Sequence, residues 1–390
     1  METFLGAAIE KAMRFTREQN PAEATRVLLH SLSGGSLETP TRPTPREPGP
    51  QAALAIEAPA FIAPTAASTS RFRMPLGETL KRLRGGELPN LSLSPEALAK
   101  LGKRPRVKVP DGASYLSRTF ACQAGSRPYK VYVPSKAHGR MAPLVVMLHG
   151  CTQNSDDFAV GTGMNRLAEE HGFIVAYPEQ PLTANQLGCW NWFNQQDQLR
   201  ESGEASIIAG LTRALISEMN IDHERVFVAG LSAGGAMAEV MSVTYPDLFA
   251  GAGVHSGLAY GVATDRASAF VAMSGKSLEH RTRRVKNRAR TIIFHGSSDS
   301  KVHPMNAERI LTEARAGISR IHEETTQRGI ENGLQYQRTL VSDERGVPQL
   351  EYWAVEGLGH AWSGGSPEGS HTEQRGPDAS REMLRFFLEG

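Results

Sequence analysis

This sequence of 390 residues has few cysteines, no long apolar run and almost balanced charge. Its cysteines, Cys122, Cys151 and Cys189, are too few for a disulfide framework and lack zinc-ligand spacing, so we expect buried thiols. No run reaches the roughly 18–20 apolar residues of a membrane span. Glu10 and Lys11 interrupt the apolar region that a secretory signal needs. We therefore expect a cytoplasmic protein without a transmembrane segment.

The net charge of +2 argues against a strong polyanion binder, so we expect no nucleic-acid partner. Composition then divides the chain into parts. Residues 1–36 have helical periodicity and form a predicted helical leader. Residues 37–70 are rich in Pro, Ala and Thr, a composition that predicts a disordered linker because burial cannot offset its ordering entropy. Residues 71–110 hold a short basic helix and a loop, and residues 111–390 form the main predicted domain.

The main domain alternates short apolar segments with helical ones. The predicted strands are 115–121, 128–134, 143–150, 173–178, 225–230, 291–296 and 350–357. The predicted helices are 204–219, 232–245 and 305–317. The first two strands resemble an antiparallel pair, and the others are typical of buried parallel strands with helical crossovers. We predict an α/β fold with a mostly parallel central sheet flanked by helices, and an active site at the carboxyl ends of its strands.

Residues 230–234, Gly-Leu-Ser-Ala-Gly, match the pattern G-x-S-x-G. An apolar strand runs into Ser232 and a helix runs out of it, which is the setting of a nucleophile elbow. A plain glycine-rich turn would give the same five residues, so the motif alone is weak. A serine hydroxyl also needs a base and a group that orients the base. In sheets that carry this elbow, the acid and then the histidine follow the serine along the chain.

Two residues fit that order. Asp299 directly follows the strand 291–296, and His360 lies in a glycine-rich loop after the last predicted strand. We predict that Ser232 is the nucleophile, His360 the base and Asp299 the orienting acid. Three other residues compete for the last two roles, and we interpret each differently. We interpret Asp343 as a hairpin-turn residue and His303 as a local cap or surface residue. His371 is interpreted as a residue of a solvated loop.

Acyl transfer also needs backbone N–H groups that stabilise an oxyanion. Ala233 begins a helix, where N–H groups lack partners, and we assign it one donor. The second comes from the loop after strand 143–150, where we assign Cys151, with Thr152 as the alternative. His149 is interpreted as a loop-shaping residue. A bond between Cys151 and Cys189 stays open, although a cytoplasmic location argues against it.

Aromatic residues are concentrated near these motifs. Trp190 and Trp192 lie in a loop with Gly and Asn, and Trp362 follows His360 by two residues. An aromatic wall suits a site for acyl or polymer chains, so we predict that these tryptophans bind substrate. An aromatic plug beneath a long loop is an equal alternative.

Several stretches together resemble the polyhydroxybutyrate depolymerase-type esterases of the α/β-hydrolase superfamily, which are similar to feruloyl and acetylxylan esterases. The matching stretches are LHGCTQN (148–154), GCWNWF (188–193), VFVAGLSAGGAMA (226–238), FHGSSDSKVHP (294–304) and GLGHAWSGG (357–365). The resemblance spans residues 115–390 and implies an α/β-hydrolase fold. It also implies Ser232, Asp299 and His360 as the triad and Cys151 as an oxyanion donor. The front segment looks like the leader of cytoplasmic members.

The resemblance implies a serine esterase that works through an acyl-enzyme without cofactor or metal. A polyhydroxyalkanoate or polyhydroxybutyrate depolymerase or oligomer hydrolase is the first expectation, with a polyester or small ester as substrate. A feruloyl or acetylxylan esterase is the alternative. A further alternative is a binding or scaffold protein on polymer granules, with residues 4–31 and 76–84 as amphipathic contacts. Granule association would suit either a depolymerase or a scaffold in the cytoplasm.

Overall fold

The computed structural model describes residues 105–137, 139–276 and 287–389. The predicted leader (1–36), the linker (37–70) and nearly all of the basic segment (71–110) lie outside these described residues. The main domain is described almost throughout. Within the described ranges, no helix is long and apolar enough to cross a membrane.

The main domain consists of alternating strands and helices. The strands are β1 (Ser114–Cys122), β2 (Gly125–Val133), β3 (Ala142–Leu148), β4 (Ile174–Pro178), β5 (Ile221–Leu231), β6 (Gly251–His255), β7 (Arg290–Gly296), β8 (Ile321–Glu331), β9 (Leu334–Asp343), β10 (Pro348–Val355), β11 (Trp362–Ser363) and β12 (Thr372–Glu373). The α-helices are α1 (Ser155–Thr162), α2 (Met164–His171), α3 (Gly203–Glu218), α4 (Ala233–Thr244), α5 (Arg266–Met273), α6 (Met305–Gly317) and α7 (Ala379–Leu388).

Ten of these strands form one sheet in the order β1-β2-β4-β3-β5-β6-β7-β10-β9-β8. The six central strands, from β4 to β10 in this order, are mutually parallel. Antiparallel strands flank them on both sides, and β1 pairs with β2 as predicted. The predicted α/β fold with a mostly parallel sheet is therefore confirmed. Because β5, β6, β7 and β10 are neighbours, the loops after them meet at one edge of the sheet.

Alternating side chains of the central strands fill two separate cores. In β3, Leu144, Val146 and Leu148 face one core, whereas Val145 and Met147 face the other. Helices α3, α4 and α6 cover the first face, and α1, α2 and α7 cover the second. Since side chains of a strand alternate between faces, a fully buried strand must be apolar on both. This is why β3 has a continuous apolar sequence.

Three strands of the ten-stranded sheet were not predicted, and each lacks an apolar run. The two-residue strands β11 and β12 were not predicted either. β6 has the sequence GAGVH, which is fully buried but begins with three small residues of weak strand propensity. β8 has the sequence IHEETTQRGIE and is largely exposed at the edge of the sheet. β9 pairs with both β8 and β10, so its register depends on partners distant in the sequence. The helices α1, α2, α5 and α7 were also not predicted.

Candidate active site

Ser232 lies at the turn between β5 and α4, with φ 57° and ψ −117°. A positive φ is strained for serine, and such strain is concentrated at functional sites. The N–H of Ser232 donates to the carbonyl of His255, at 2.9 Å, which fixes the turn against the end of β6. The side chain is half-buried. The structure therefore contains the strand–turn–helix elbow that the sequence predicts.

Close packing explains the two glycines of the elbow. A β-carbon on Gly234 would overlap the carbonyl oxygen of Leu148 at the end of β3. A β-carbon on Gly230 would overlap the backbone of Gly234. Helix α4 can therefore begin directly against the central strands. Ala233 is its first residue, where backbone N–H groups have no intrahelical partner and the helix dipole favours an anion.

Asp299 and His360 come together although 61 residues separate them. Asp299 lies in the loop after β7, and His360 lies in the loop after β10. Nδ1 of His360 donates to Oδ2 of Asp299 at 2.7 Å. A histidine held through Nδ1–H presents its Nε2 as a free base, as a catalytic histidine requires. The structure thus forms the predicted acid–histidine pair, while the role of Ser232 rests on its place in the elbow.

The carboxylate of Asp299 is almost completely buried and held in its ionised form. Burial alone would raise its pKa, but the hydrogen bond and charge of His360 and two backbone N–H groups lower it below its ordinary value. These N–H groups belong to Lys301 and Val302, and both lie 2.9 Å from Oδ1. The buried His295 supports the same loop because its Nε2 donates to the carbonyl of Val302 at 2.9 Å. An ionised Asp299 can hold His360 in one tautomer.

His255 connects the elbow with the loop that carries His360, and sequence reasoning missed it. Its carbonyl accepts from Ser232, and its Nε2 accepts from the N–H of Ser363 at 3.1 Å. Burial, together with the charges of His295 and His360, lowers the pKa of His255 to about 3. The ring therefore stays neutral near pH 7, and its Nε2 remains an acceptor.

Two of the competing residues have the local roles that the sequence predicts. Oδ1 of Asp343 accepts from the N–H groups of Arg345 and Val347 in the turn between β9 and β10. His303 is exposed, and its Nδ1 accepts from the N–H of Met305 at the start of α6. Neither residue belongs to the Asp299–His360 pair.

His371 lies in an exposed loop, as interpreted from the sequence, and it also contacts the predicted oxyanion loop. It is exposed, but its Nε2 lies 3.4 Å from Oγ1 of Thr152 in the predicted oxyanion loop. Its carbonyl accepts from the N–H of Trp362 at 2.8 Å, which holds it beside the His360 loop. Both His371 and Thr152 have positive φ, 53° and 66°. The contact joins residues 219 apart, so no local sequence signal reveals it.

Backbone contacts in the loop after β3 distinguish between Cys151 and Thr152, the two candidates for the second oxyanion donor. The N–H of Thr152 donates to the carbonyl of Leu187 at 2.8 Å, which favours Cys151 as the donor. His149 is fully buried, and its Nδ1 donates to the carbonyl of Gly150 at 2.8 Å. Burial lowers its pKa, and its Nε2 accepts from the N–H of Gln180 at 3.0 Å. The prediction that His149 shapes the loop is confirmed.

The expectation of buried free thiols is wrong. Cys151 and Cys189 form a disulfide, and Cys122 is free but exposed. The reason for the pairing is that the loop after β3 and the loop after β4 lie against each other, as the hydrogen bond from Thr152 to Leu187 shows. The disulfide joins the predicted oxyanion donor to the loop that carries Trp190. It also removes Cys151 as a thiol nucleophile.

The three tryptophans predicted to bind substrate are all buried, with exposed fractions of 0% for Trp190, 6% for Trp192 and 1% for Trp362. Trp362 packs on His255, and its indole N–H donates to Ser380 at 3.0 Å. Trp190 packs against His149. This burial fits an aromatic plug beneath the loop better than a substrate wall. A substrate contact at Trp192 stays a prediction.

An elbow serine after β5, an acid after β7 and a histidine after β10, on a mostly parallel sheet covered on both faces, define the α/β-hydrolase fold. An acetyl xylan esterase from Aspergillus awamori has a similar structure, with a TM-score of 0.55 and 24% sequence identity. The match covers 70% of this chain and 100% of that one. It supports the fold alone.

Sequence comparison identifies the family. Residues 127–328 match the model of the esterase PHB depolymerase family, and the chain belongs to this family. The resemblance seen in the motifs is thereby confirmed.

Characterised relatives have different named activities. Poly(3-hydroxyalkanoate) depolymerase C of Paucimonas lemoignei is 33% identical over 274 residues, which cover 66% of this chain and 64% of that protein. Acetylxylan esterase A of Talaromyces purpureogenus is 31% identical, over 55% of this chain and 60% of that protein. Feruloyl esterase B of Neurospora crassa is also 31% identical, over 48% of this chain and 70% of that protein. The chain thus matches less than two thirds of the length of the first two relatives.

Proposed function

We propose that the protein is a serine esterase that hydrolyses carboxylic esters through an acyl-enzyme intermediate. The observation that carries this proposal is the hydrogen bond of 2.7 Å between His360 and the buried, ionised Asp299, beside an elbow that holds Ser232 at positive φ. Membership of the esterase PHB depolymerase family supports the proposal independently.

In the first half-reaction, Ser232 Oγ attacks the ester carbonyl carbon while Nε2 of His360 takes its proton. Asp299 stabilises the resulting imidazolium through Nδ1–H. The oxyanion of the tetrahedral intermediate is held by the N–H groups of Cys151 and Ala233. His360 then gives its proton to the departing alcohol, which leaves an acyl group on Ser232.

In the second half-reaction, water attacks the acyl carbonyl and transfers a proton to His360. The same two N–H groups stabilise the second tetrahedral intermediate. Its collapse releases the carboxylic acid and returns the proton to Ser232. Every proton in this scheme is moved by residues of this chain, and no step needs a cofactor.

The substrate that we propose is a short-chain hydroxyalkanoate polyester or its oligomers. The support is the family match and the relative named as a poly(3-hydroxyalkanoate) depolymerase. The second candidate is a carbohydrate-linked ester, because other relatives are named as acetylxylan and feruloyl esterases. Both substrates suit the same acyl-transfer chemistry, so the active-site residues do not separate them.

A substrate panel separates these candidates. Purified protein is assayed on polyhydroxybutyrate, on 3-hydroxybutyrate oligomers, on acetylated xylan and on feruloyl sugar esters, with Ser232→Ala as the background control. We expect hydrolysis of the hydroxybutyrate esters and at least a thousandfold loss in Ser232→Ala. Activity on the sugar esters alone would overturn the proposed substrate, although the serine-esterase mechanism would stand.

A cytoplasmic location with granule association stays a prediction of the sequence. The segments proposed for granule contact, 4–31 and 76–84, lie outside the described residues. The disulfide between Cys151 and Cys189 counts against this location, since reducing compartments keep most thiols free. Alkylation of intact cells before lysis, followed by mass spectrometry of these cysteines, tests it. Blocked free thiols would support a cytoplasmic protein, and a disulfide would contradict it.

A further inference from the structure

A buried carboxylate lies beneath the loop that carries the aromatic residues, and the proposed mechanism does not use it. Glu204 is in the first turn of α3 and is only 2% exposed. Burying a carboxylate is costly unless donors surround it. Burial raises the pKa of Glu204 above its ordinary value, so a carboxyl group placed this deeply needs an explanation from its partners.

Donors from three segments converge on Glu204. Its Oε1 accepts from Nη2 of Arg127 at 2.9 Å and from Nδ2 of Asn191 at 2.8 Å. The side-chain amide of Gln180 donates to the same oxygen. Its Oε2 accepts from the backbone N–H of Asn191 at 2.7 Å. The carboxyl group thus holds both ends of the segment 180–191 against helix α3.

Gln180 extends this network to the oxyanion loop by two routes. Its backbone N–H donates to Nε2 of His149, which lies two residues before Cys151. Its side-chain amide also donates to the carbonyl of Cys189 at 3.0 Å. Cys189 is covalently bonded to Cys151. The first route ends at His149, whose Nδ1 bonds to the carbonyl of Gly150 directly before Cys151, and the second ends at Cys151 itself.

We propose that Glu204 is a positioning residue, which acts through Gln180 and Asn191 to hold the N–H of Cys151 where the oxyanion develops. This inference rests on the proposed esterase function and deepens it. Oxyanion donors act more strongly in the transition state than on the bound substrate. Displacing such a donor lowers kcat and leaves KM nearly unchanged. A carboxylate that only stabilised the fold would not show this pattern.

The central variant is Glu204→Gln, which keeps the shape of the side chain but replaces one acceptor oxygen with a donor. Removing an oxyanion donor costs about 10²–10³ in kcat, and misplacing one costs less. On a chromogenic short-chain ester, we expect kcat to fall about 10- to 100-fold with KM within about twofold. Rates are normalised to the concentration of serine that a fluorophosphonate titrates.

A boronic acid provides a readout that stability does not affect. It forms a tetrahedral adduct with the serine and places an oxygen in the oxyanion hole, so it resembles the transition state. We expect its inhibition constant to rise in Glu204→Gln by a factor similar to the fall in kcat. Inhibition by the alcohol product, which makes no oxyanion, should change less than twofold.

Glu239→Gln is the matched control. Glu239 is also fully buried, and its partners include Arg288, at 2.6 Å, Ser242 and the backbone of Tyr260. This pair lies between α4 and the segment before β7, outside the network of Gln180. We expect Glu239→Gln to lower stability without changing kcat or the boronate constant. An equal loss of kcat in both variants would overturn the proposal.

Gln180→Met keeps the test decisive if Glu204→Gln does not fold. Methionine has a similar volume and removes both side-chain donations, while the ion pair of Arg127 with Glu204 remains. We expect the same pattern of lower kcat and weaker boronate binding, about 5- to 30-fold, since part of the network is intact. Unchanged kcat and boronate binding in Gln180→Met would overturn the proposal. A wild-type protein without esterase activity would instead refute the proposed function.

Discussion

At the scale of single residues, Asp299 has the environment of an orienting acid. It is buried and ionised, accepts two backbone N–H groups on one oxygen and holds His360 with the other. Asp299→Asn keeps this shape but offers an amide that favours the wrong histidine tautomer. We expect kcat to fall about 10³- to 10⁴-fold with little change in KM. Steady-state kinetics on a chromogenic ester measures this, and a loss below tenfold would contradict the assigned role.

The buried His255 predicts a specific dependence of stability on pH. The folded state keeps this ring neutral because its pKa is about 3, whereas the unfolded chain takes up a proton near the ordinary value of 6.5. The unfolded state therefore binds more protons between these values, and folding loses stability as the pH falls from 6.5 towards 3. The loss is up to about 1.4 kcal/mol for each pH unit.

His255→Gln keeps an acceptor for Ser363 and removes the titrating ring. Urea unfolding at pH 6.5 and 4.5 should show that wild type loses about 2–3 kcal/mol more than this variant. The other histidines are present in both proteins, so their contributions cancel in the comparison. Equal losses in the two proteins would contradict a neutral, buried His255.

The residues that carry the proposed chemistry could be predicted because each has a local signature. Ser232 lies in a pentapeptide between a strand and a helix, and Asp299 and His360 each follow an apolar strand. The buried polar residues around them, such as His255, and the more distant Glu204 have no such signature. Their partners lie far away in the sequence, so only the folded chain reveals that their polar groups are satisfied.

At the scale of elements, the central strands could be predicted and the polar ones could not. β3 and β7 are buried on both faces, so β3 is apolar throughout and β7 contains the apolar run Ile292–Phe294. β8 is an exposed edge strand, and its polar sequence resembles a loop. β6 sits between β5 and β7, where small residues suffice. β6 and β8 are placed by pairing with neighbouring strands, which their own sequences do not indicate.

Also at the scale of elements, the disulfide between Cys151 and Cys189 links the loops after β3 and β4. Cys189→Ser removes it and leaves the backbone of Cys151 unchanged. We expect the free energy of unfolding to fall by about 2–4 kcal/mol, because the unfolded chain is no longer cross-linked. Reductant should destabilise wild type by a similar amount and leave the variant unaffected. Urea unfolding with and without reductant measures both effects.

Cys122→Ser is the matched control, since Cys122 is free and exposed. It should unfold like wild type under oxidising conditions and lose the same stability on reduction. Wild-type stability that is insensitive to reductant would contradict a disulfide between Cys151 and Cys189.

At the scale of the whole molecule, the family match and all the described helices and strands lie after residue 110. The family match covers residues 127–328, and the described residues begin at 105. We expect deletion of residues 1–70 to leave kcat and KM on a short soluble ester unchanged within about twofold. Binding to polymer granules, measured by cosedimentation, should decrease. Unchanged granule binding would contradict the predicted role of the leader, and a loss of soluble-ester hydrolysis would contradict the predicted domain boundary.

The central claim is that Ser232 is the nucleophile of an esterase. Its most direct test is labelling with a fluorophosphonate, which reacts with activated serines, followed by intact mass and peptide mapping. The account predicts one adduct per chain, located on Ser232, with ester hydrolysis lost in proportion to labelling. Folded Ser232→Ala should neither be labelled nor hydrolyse esters. An adduct on another residue, or undiminished hydrolysis in Ser232→Ala, would contradict it.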